Sequence, residues 1–144
     1  VAGVSIGRGA MHNPWIFGQI ADAWEGKPSH EITAGEALDV FPVYYRFLQE
    51  EGRTELGAMG RLKQLAARLC KGFCLDDKCE RREGGEAAME VRQQLLTSES
   101  PEIFFERLES LKEGVAKSLR YEPSRLVNLN GAKDNSITYG DHYK

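Results

Sequence analysis

The chain has 144 residues, of which 41% are hydrophobic and 28% charged, a composition typical of one soluble domain or of a small helical domain with an appendage. Its net charge of −3 exerts no overall attraction on nucleic acid, so such a role would require a local basic patch. No apolar run reaches the roughly 18 residues of a membrane span, and no signal-like segment is present. We therefore expect a cytoplasmic protein.

The first 25 residues predict a strand, a glycine turn and a helix. Residues 1–6 have the continuous apolar character of a short buried parallel strand, and residues 7–10 predict a tight turn. Asn13 and Pro14 are typical of a helix cap followed by proline, and an apolar stripe runs from Ile16 to Trp24. Because a lone buried strand needs a partner for its backbone, we expect this segment to end a larger α/β domain.

Residues 33–120 predict a helical domain of about four helices. Thr33 and Glu36 match a capping box, Pro42 predicts a kink or a second start, and Gly52 predicts a stop. A second cap followed by proline occurs at Ser100. The predicted helices cover residues 33–52, 56–73, 85–96 and 101–119, and the polar residues 123–144 predict a disordered tail. The expected fold class is therefore mainly α, with the strand, turn and helix of a (β/α)8 barrel preceding a helical bundle.

The cysteines and histidines indicate no metal site. Cys70, Cys74 and Cys79 are spaced C-x3-C-x4-C, which matches neither paired zinc motifs nor common ferredoxin patterns. The three histidines lie far apart in the sequence. An odd number of cysteines without an export signal argues against a disulfide framework, so we expect reduced thiols.

Two groups of residues have the chemistry of phosphate binding. A glycine turn before a helix offers backbone N–H groups to an anion, and Arg8 can add a charge-assisted fork. Between Glu55 and Asp76 the chain has basic but no acidic residues, and on a helical wheel Arg61 and Arg68 nearly eclipse. This basic face fits a contact with an RNA backbone, while an ordinary solvated helix face would also explain it. The candidate nucleic-acid contacts are Arg61, Lys63, Arg68 and Lys71.

Three stretches resemble the tRNA-dihydrouridine synthases. VSIGRGAMHNPWIF is similar to the family's last barrel strand and its following turn, which carries a G-R-[GA]-A and NPW-[IL]-F pattern. GRLKQL at 60–65 resembles an R-[IL]-K-Q-W segment, with Leu65 in place of tryptophan, and LLTSESPEI at 95–103 resembles a segment that ends in N-S-P-D-I. The resemblance covers roughly residues 1–120, and the cysteine-rich stretch lies outside the family's pattern.

The resemblance implies an FMN-dependent enzyme that reduces uridine in tRNA to 5,6-dihydrouridine with NADPH. It implies a barrel end over residues 1–25, a tRNA-contacting domain over 33–120, and a catalytic cysteine on a barrel segment upstream of those matched here. No residue of this chain is therefore assigned to catalysis, and the chain alone is expected to be inactive. The residues implied at the FMN phosphate are Gly7, Arg8, Gly9 and Ala10.

Two alternatives remain. Another FMN barrel oxidoreductase, such as one of the old yellow enzyme class, also uses a glycine-arginine phosphate turn, although the NPWIF continuation and the helical extension argue against it. A non-catalytic helical module that binds RNA or a protein partner is the alternative outside the enzymes.

Overall fold

The computed structural model describes residues 2–3, 5–74 and 85–123, and this part of the chain is mainly helical, as predicted. The helices are α1 (Arg8–His12), α2 (Ile16–Trp24), α3 (Ala34–Glu50), α4 (Glu55–Leu69), α5 (Glu86–Leu96) and α6 (Pro101–Glu113). Strands β1 (Phe73–Cys74) and β2 (Arg120–Tyr121) form an antiparallel pair in which Phe73 faces Tyr121. The predicted tail falls outside the described residues from position 124 onward.

Helix α3 begins and ends as its sequence predicts. The Thr33 hydroxyl accepts a hydrogen bond from the Glu36 amide at 3.1 Å, and the Glu36 carboxylate accepts one from the Thr33 amide at 2.8 Å. The predicted capping box is thus confirmed. Pro42 lies inside the helix without ending it, and Gly52 adopts a φ of +73° just beyond the last turn, where a residue with a side chain would be strained.

Helix α6 confirms its predicted start but ends earlier than predicted. Ser100 caps it by accepting a hydrogen bond from the Ile103 amide at 3.3 Å, with Pro101 in the first turn. The apolar spacing predicts a helix to Leu119, which is wrong, because α6 stops at Glu113 and a 3₁₀ turn covers Val115–Ser118. Leu119 is nevertheless buried, so the apolar pattern marks core positions correctly beyond the end of the helix.

Helices α3, α4, α5 and α6 supply most of the core. Helix α3 packs against α4 and α6, and α5 packs against the same two helices. Phe41 and Phe104 meet edge to face across the centre, with ring centroids 5.4 Å apart. The fully buried side chains that the four helices share are Leu38, Phe41, Leu62, Leu69, Val91, Leu95, Phe104 and Leu108.

Tyr121 joins the short elements to this core. Its ring packs against Phe73 and Trp15, with centroids 5.2 and 5.6 Å away. Its hydroxyl donates to the carbonyl oxygens of Leu69 at 3.1 Å and His12 at 3.3 Å, so one proton is shared between α4 and α1. Burial raises the pKa of Tyr121 well above its ordinary value, which keeps this hydroxyl a donor at physiological pH.

The N-terminal segment departs from its predicted structure. Described residues 2–3 and 5–6 form no strand, and the described part of the chain offers no neighbouring strand that could pair with them. Gly7 has a φ of −94° and caps α1, which begins at Arg8, so the tight turn predicted over residues 7–10 is wrong. Helix α2 begins at Ile16 rather than at Pro14, because Asn13 ends α1 and its carbonyl accepts from the Ile16 amide.

The apolar stripe of α2 is exposed. None of its nine residues is buried, and the exposed fractions of Phe17 and Trp24 are 58% and 87%. Trp15, a residue suited to packing this helix against a barrel edge, instead contacts Tyr121. Helical spacing therefore predicts the helix but not the surroundings of its apolar face.

The two described cysteines differ. Cys70 is free and fully buried, and burial raises the pKa of its thiol to about 12. Cys74 is disulfide-bonded, so the expectation of reduced thiols is wrong for this residue. Cys79 lies outside the described residues.

Two glycine-to-alanine changes should have opposite effects on stability. At Gly72 a Cβ atom would lie 2.6 Å from the Tyr121 ring, so Gly72→Ala should lower the free energy of unfolding by about 1–3 kcal/mol through overpacking. At Gly60, inside α4, a Cβ atom would meet nothing within 4 Å, so Gly60→Ala should raise the free energy of unfolding by roughly 0.5–1 kcal/mol. Urea denaturation measures both, and equal effects would contradict the role given to Tyr121.

The capping box should make stability depend on pH. Hydrogen bonds from Thr33 and His30 lower the pKa of Glu36 to about 2 from its ordinary 4.5. Since the folded-state pKa is the lower one, this contribution is present above about pH 4.5 and is lost as the pH falls toward 2. Glu36→Gln should therefore destabilise the protein at pH 7 and have little effect near pH 2. Glu31→Gln removes the same charge outside α3 and serves as the control; a Glu36→Gln effect that stays constant with pH would refute the assignment.

Candidate nucleic-acid interface

Helix α1 lies against the C-terminal end of α4. The shared Tyr121 hydroxyl brings the backbone of His12 close to that of Leu69. Arg68 immediately precedes Leu69, and Lys71 follows two residues later in the 3₁₀ turn Cys70–Gly72. The contact therefore positions His12 beside two basic residues of the predicted RNA-contacting face.

Arg8 joins the same group from α1. It precedes His12 by four residues, a spacing that puts two side chains on one face of a helix. Arg8 and Lys71 are exposed, whereas Arg68 and His12 are half-buried. We call these four residues, Arg8, His12, Arg68 and Lys71, the basic cluster.

All the charges of the basic cluster that act on His12 are positive. Burial lowers the pKa of His12 below its ordinary 6.5, and the positive charges of Arg68, Lys71 and Arg8 lower it further. Within the described residues, none of these three cations is within ion-pair distance of a carboxylate. The charges of three cations thus reach His12, and such a local excess of positive charge favours the binding of an anion.

Two buried polar side-chain atoms at this place have no hydrogen-bond partner among the described residues. They are His12 Nδ1 and Asn13 Oδ1. The Asn13 side chain is otherwise held in place, since its amide nitrogen donates to Gln19 at 2.7 Å, and the residue is only 8% exposed. Buried polar atoms without partners are uncommon in folded proteins and call for a physical explanation.

The structure unites parts of two separately predicted sites. The sequence predicts Arg8 at a cofactor phosphate and Arg68 and Lys71 at an RNA backbone, yet the charges of all three lower the pKa of His12. Arg61 lies about two helical turns before Arg68 on the same side of α4 and donates to Gln64 at 3.4 Å. Lys63 lies about 200° around the helix from Arg61, so it belongs to another face of α4.

The other residues predicted at the FMN phosphate have no polar side chain, so they can offer it only backbone groups. Gly7 is exposed, with open space where a Cβ atom would be, while Gly9 and Ala10 are half-buried within α1. The sequence allows two positions for His12, near the flavin phosphate or exposed beside the turn, and neither predicts its contact with the end of α4. The sequence signal for this position is the four-residue spacing between Arg8 and His12. That spacing places the two side chains on one face only if the segment is helical.

Helical spacing with Phe41 and Leu48 predicts that Tyr44, Tyr45 and Phe47 are core residues rather than a base-stacking surface, and the structure confirms this in part. Tyr44 and Tyr45 pack against the core, and the Tyr45 ring lies 5.1 Å from that of Phe105. Phe47, predicted in the same core group, is 52% exposed, with the Arg46 guanidinium 5.7 Å from its ring centre. The structure thus brings no row of aromatic rings together as a base-stacking surface on α3.

A cleft of about 600 Å³ lies elsewhere, between the start of α3 and residues 112–123. Two of its lysines already have partners, since Lys112 contacts Asp39 at 2.5 Å and Lys117 contacts Glu113 at 3.0 Å. The α3 N-terminus on its wall is occupied by the capping box. The basic cluster, whose cations have no such partners among the described residues, is therefore the stronger candidate for an anion site.

Metal clusters and membrane-spanning helices are both absent from the described part of the chain. Its residues hold no group of three or more His, Cys, Asp or Glu side chains that could bind a metal ion, and none of its helices is long and apolar enough to cross a membrane. The Cys70 thiol, with its pKa near 12, is protonated at neutral pH and poorly suited to nucleophilic or acid chemistry. No family model, curated protein or solved structure matches this chain.

Proposed function

We propose that this chain forms the C-terminal part of a flavin-dependent tRNA-dihydrouridine synthase and that Arg68 and Lys71, at the end of α4, contact the tRNA backbone. The GRGAMHNPWIF, RLKQL and SPEI segments support the family by resemblance. The supporting geometric observation is the contact of α1 with the C-terminal end of α4, because it brings the first of these segments next to the helix that carries Arg68.

The cluster suits a phosphate backbone better than a base. Arginine and lysine side chains bind phosphate oxygens by charge and hydrogen bonding, and such contacts fix position rather than read sequence. The exposure of Lys71 leaves it accessible to a large polyanion. A local patch of this kind overcomes the repulsion expected from a chain whose net charge is −3.

The described residues fit the phosphate end of FMN only in part. Arg8 provides a guanidinium, without a carboxylate partner among the described residues, beside the backbone of Gly7 and Gly9. No described group forms a pocket for the flavin ring at this place, since the cleft lies between α3 and residues 112–123. FMN, when bound, would supply hydride transfer, and this chain's share in holding it would be the guanidinium and backbone of residues 7–10.

Activity of the complete gene product tests the family assignment. The complete protein should contain flavin and should convert uridines of transcribed tRNA to dihydrouridine with NADPH, as measured by mass spectrometry of the digested nucleosides. The 144-residue chain alone should form none. A complete protein without flavin, or with flavin but no activity on tRNA, would overturn the assignment.

Charge variants test the tRNA contact independently of activity. Arg68→Gln/Lys71→Gln should weaken tRNA binding and lower the slope of log K against log salt by roughly 0.7–0.9 for each phosphate that is no longer neutralised. Fluorescence anisotropy over about 50–200 mM salt measures both quantities. Arg46→Gln/Arg53→Gln removes the same charge from residues already paired with Glu50 and Glu51 and should leave the slope unchanged. Equal slopes for the two double variants would contradict the proposal.

The exposed stripe on α2 favours a second candidate, a helical module that binds a protein partner. Phe17, Ile20 and Trp24 recur on one side of the helix and are all exposed. Side chains of this size on one face are typical of protein contact surfaces. Within the leading proposal the same stripe would pack against the rest of the enzyme.

A further inference from the structure

We propose that two copies of this chain associate through helix α2, with the two helices antiparallel across a two-fold axis and their apolar stripes face to face. The α2 stripe consists of Phe17, Ile20 and Trp24. The inference goes beyond the proposed function and rests on none of its assignments, because the residues proposed to contact RNA lie at the end of α4 and in the turn that follows it.

The first step of the argument is the orientation of α2. The members of the stripe follow the i, i+3, i+7 spacing of one helix face, and in chain order they are 58%, 43% and 87% exposed. Gln19 and Asp22 share the opposite face and are half-buried, and Gln19 accepts a hydrogen bond from the Asn13 amide at 2.7 Å. Helix α2 therefore presents its apolar side to solvent and its polar side to the protein, the reverse of an ordinary surface helix.

The second step concerns the kind of surface that covers the stripe. Helices that lie in a membrane interface are rich in lysine and arginine on their polar face, whereas this chain has neither residue between Arg8 and Lys27. The stripe itself carries no charged side chain, so its complement is an apolar protein surface. A second copy of the chain supplies such a surface by symmetry, since a two-fold axis brings the same patch of both copies together.

The third step is the register of the two helices. With the two-fold axis between Ile20 and Ala21, Phe17 of one copy lies opposite the partner's Trp24, and the reverse pair forms on the other side of the axis. Aromatic rings in such pairs gain stability beyond the area that they bury. Ile20 meets its own counterpart beside the axis, and the small side chain of Ala21 allows the two backbones to approach closely.

The fourth step is electrostatic. Helix α2 has no acidic residue in its first turn, no basic residue in its last turn and no side-chain cap at its N-terminus, so its own side chains do not compensate its dipole. An antiparallel copy places its negative C-terminal end, with Glu25, beside the positive N-terminal end of the first. A parallel pair would place like ends and both copies of Glu25 together, although Glu25 also contacts Lys27 in its own chain. The antiparallel orientation is therefore favoured.

The fifth step is the area of contact. Aromatic side chains bury about 150–250 Å² each, so the exposed parts of Phe17 and Trp24 in two copies amount to roughly 600 Å². Ile20 and the other exposed residues of α2 raise the total to on the order of 1,000 Å², the lower limit for a specific interface. We therefore expect a reversible dimer with a dissociation constant in the micromolar range.

Sedimentation equilibrium of the chain from about 1 μM to about 500 μM tests the association. The mass should rise from 16.1 kDa toward twice that value. Quenching of tryptophan fluorescence by acrylamide should fall over the same range, because Trp24 becomes covered while Trp15, which packs against Tyr121, gives a constant background. A monomer at every concentration would overturn the proposal and leave the stripe to the rest of the enzyme. A dimer with unchanged quenching would also overturn it, since another surface would then be used.

A matched pair of variants tests the stripe. Trp24→Ala should weaken dimerisation at least about tenfold, because large aromatic side chains carry much of the binding energy of an interface. Leu56→Ala serves as the control, since Leu56 lies in the first turn of α4 and its exposed fraction of 85% is close to the 87% of Trp24. Equal effects of the two variants would indicate unspecific apolar association and refute the interface.

Charged residues at Gly18 test the antiparallel register. A Cβ atom at Gly18 would meet nothing within 4 Å, and the residue lies in the first turn of α2, opposite the partner's Glu25. Gly18→Lys should therefore dimerise more tightly than Gly18→Glu, by roughly two- to fivefold for an exposed ion pair. The difference should disappear when each is combined with Glu25→Gln. A difference that persists in that background would contradict the register.

Vesicles of phosphatidylcholine separate a second copy from a membrane as the occupant of the stripe. At a concentration at which the chain is monomeric, the emission of Trp24 should be unaffected by vesicles. A shift of that emission to shorter wavelength would show insertion into lipid and overturn the proposal.

Discussion

The shared hydrogen bond of Tyr121 is the contact on which the arrangement of the short elements depends. Its hydroxyl joins the carbonyls of α1 and α4, and its ring packs against Trp15, Phe73 and the bare backbone of Gly72. Helices shorter than about 12 residues are marginal in isolation, so the five-residue α1 requires such tertiary contacts to persist. One tyrosine in a two-residue strand thereby fixes α1 against the end of α4.

The position of the basic cluster follows from that contact. Arg8 and Arg68 are far apart in the sequence, and the packing and hydrogen bonding of Tyr121 bring their helices into contact, so that both charges act on His12. Cations without counter-charges and buried polar atoms without partners destabilise a fold and are found most often where a ligand completes the site. Among the described residues the cluster has both features, whereas the lysines of the larger cleft already contact carboxylates. The basic cluster is therefore a better candidate for function than the cleft, despite the volume of the cleft.

The exposed stripe of α2 and the basic cluster involve consecutive helices and have different chemistry. The stripe presents large apolar side chains suited to a protein surface, and the cluster presents charges suited to phosphate. A protein domain that joins another domain on one side and an RNA backbone on the other would need both. The proposed dihydrouridine synthase accounts for the two surfaces together, whereas a module that binds only RNA or only a protein accounts for one of them.

The sequence alone determined the local signals of the fold: the capping box at Thr33, the cap and proline at Ser100, and the apolar positions of α3 to α6. These features depend on hydrogen bonds between neighbours and on the helical period, both of which are visible in a single segment. The sequence also marked Arg8, Arg68 and Lys71 as candidate phosphate ligands, but as members of separate sites. Only the tertiary structure decided that residues 8–12 form a helix, that the α2 stripe is exposed, and that His12 lies among three cations. The placement of α1 depends on Tyr121, whose contacts link residues that are distant in sequence, and no local period or motif encodes such contacts.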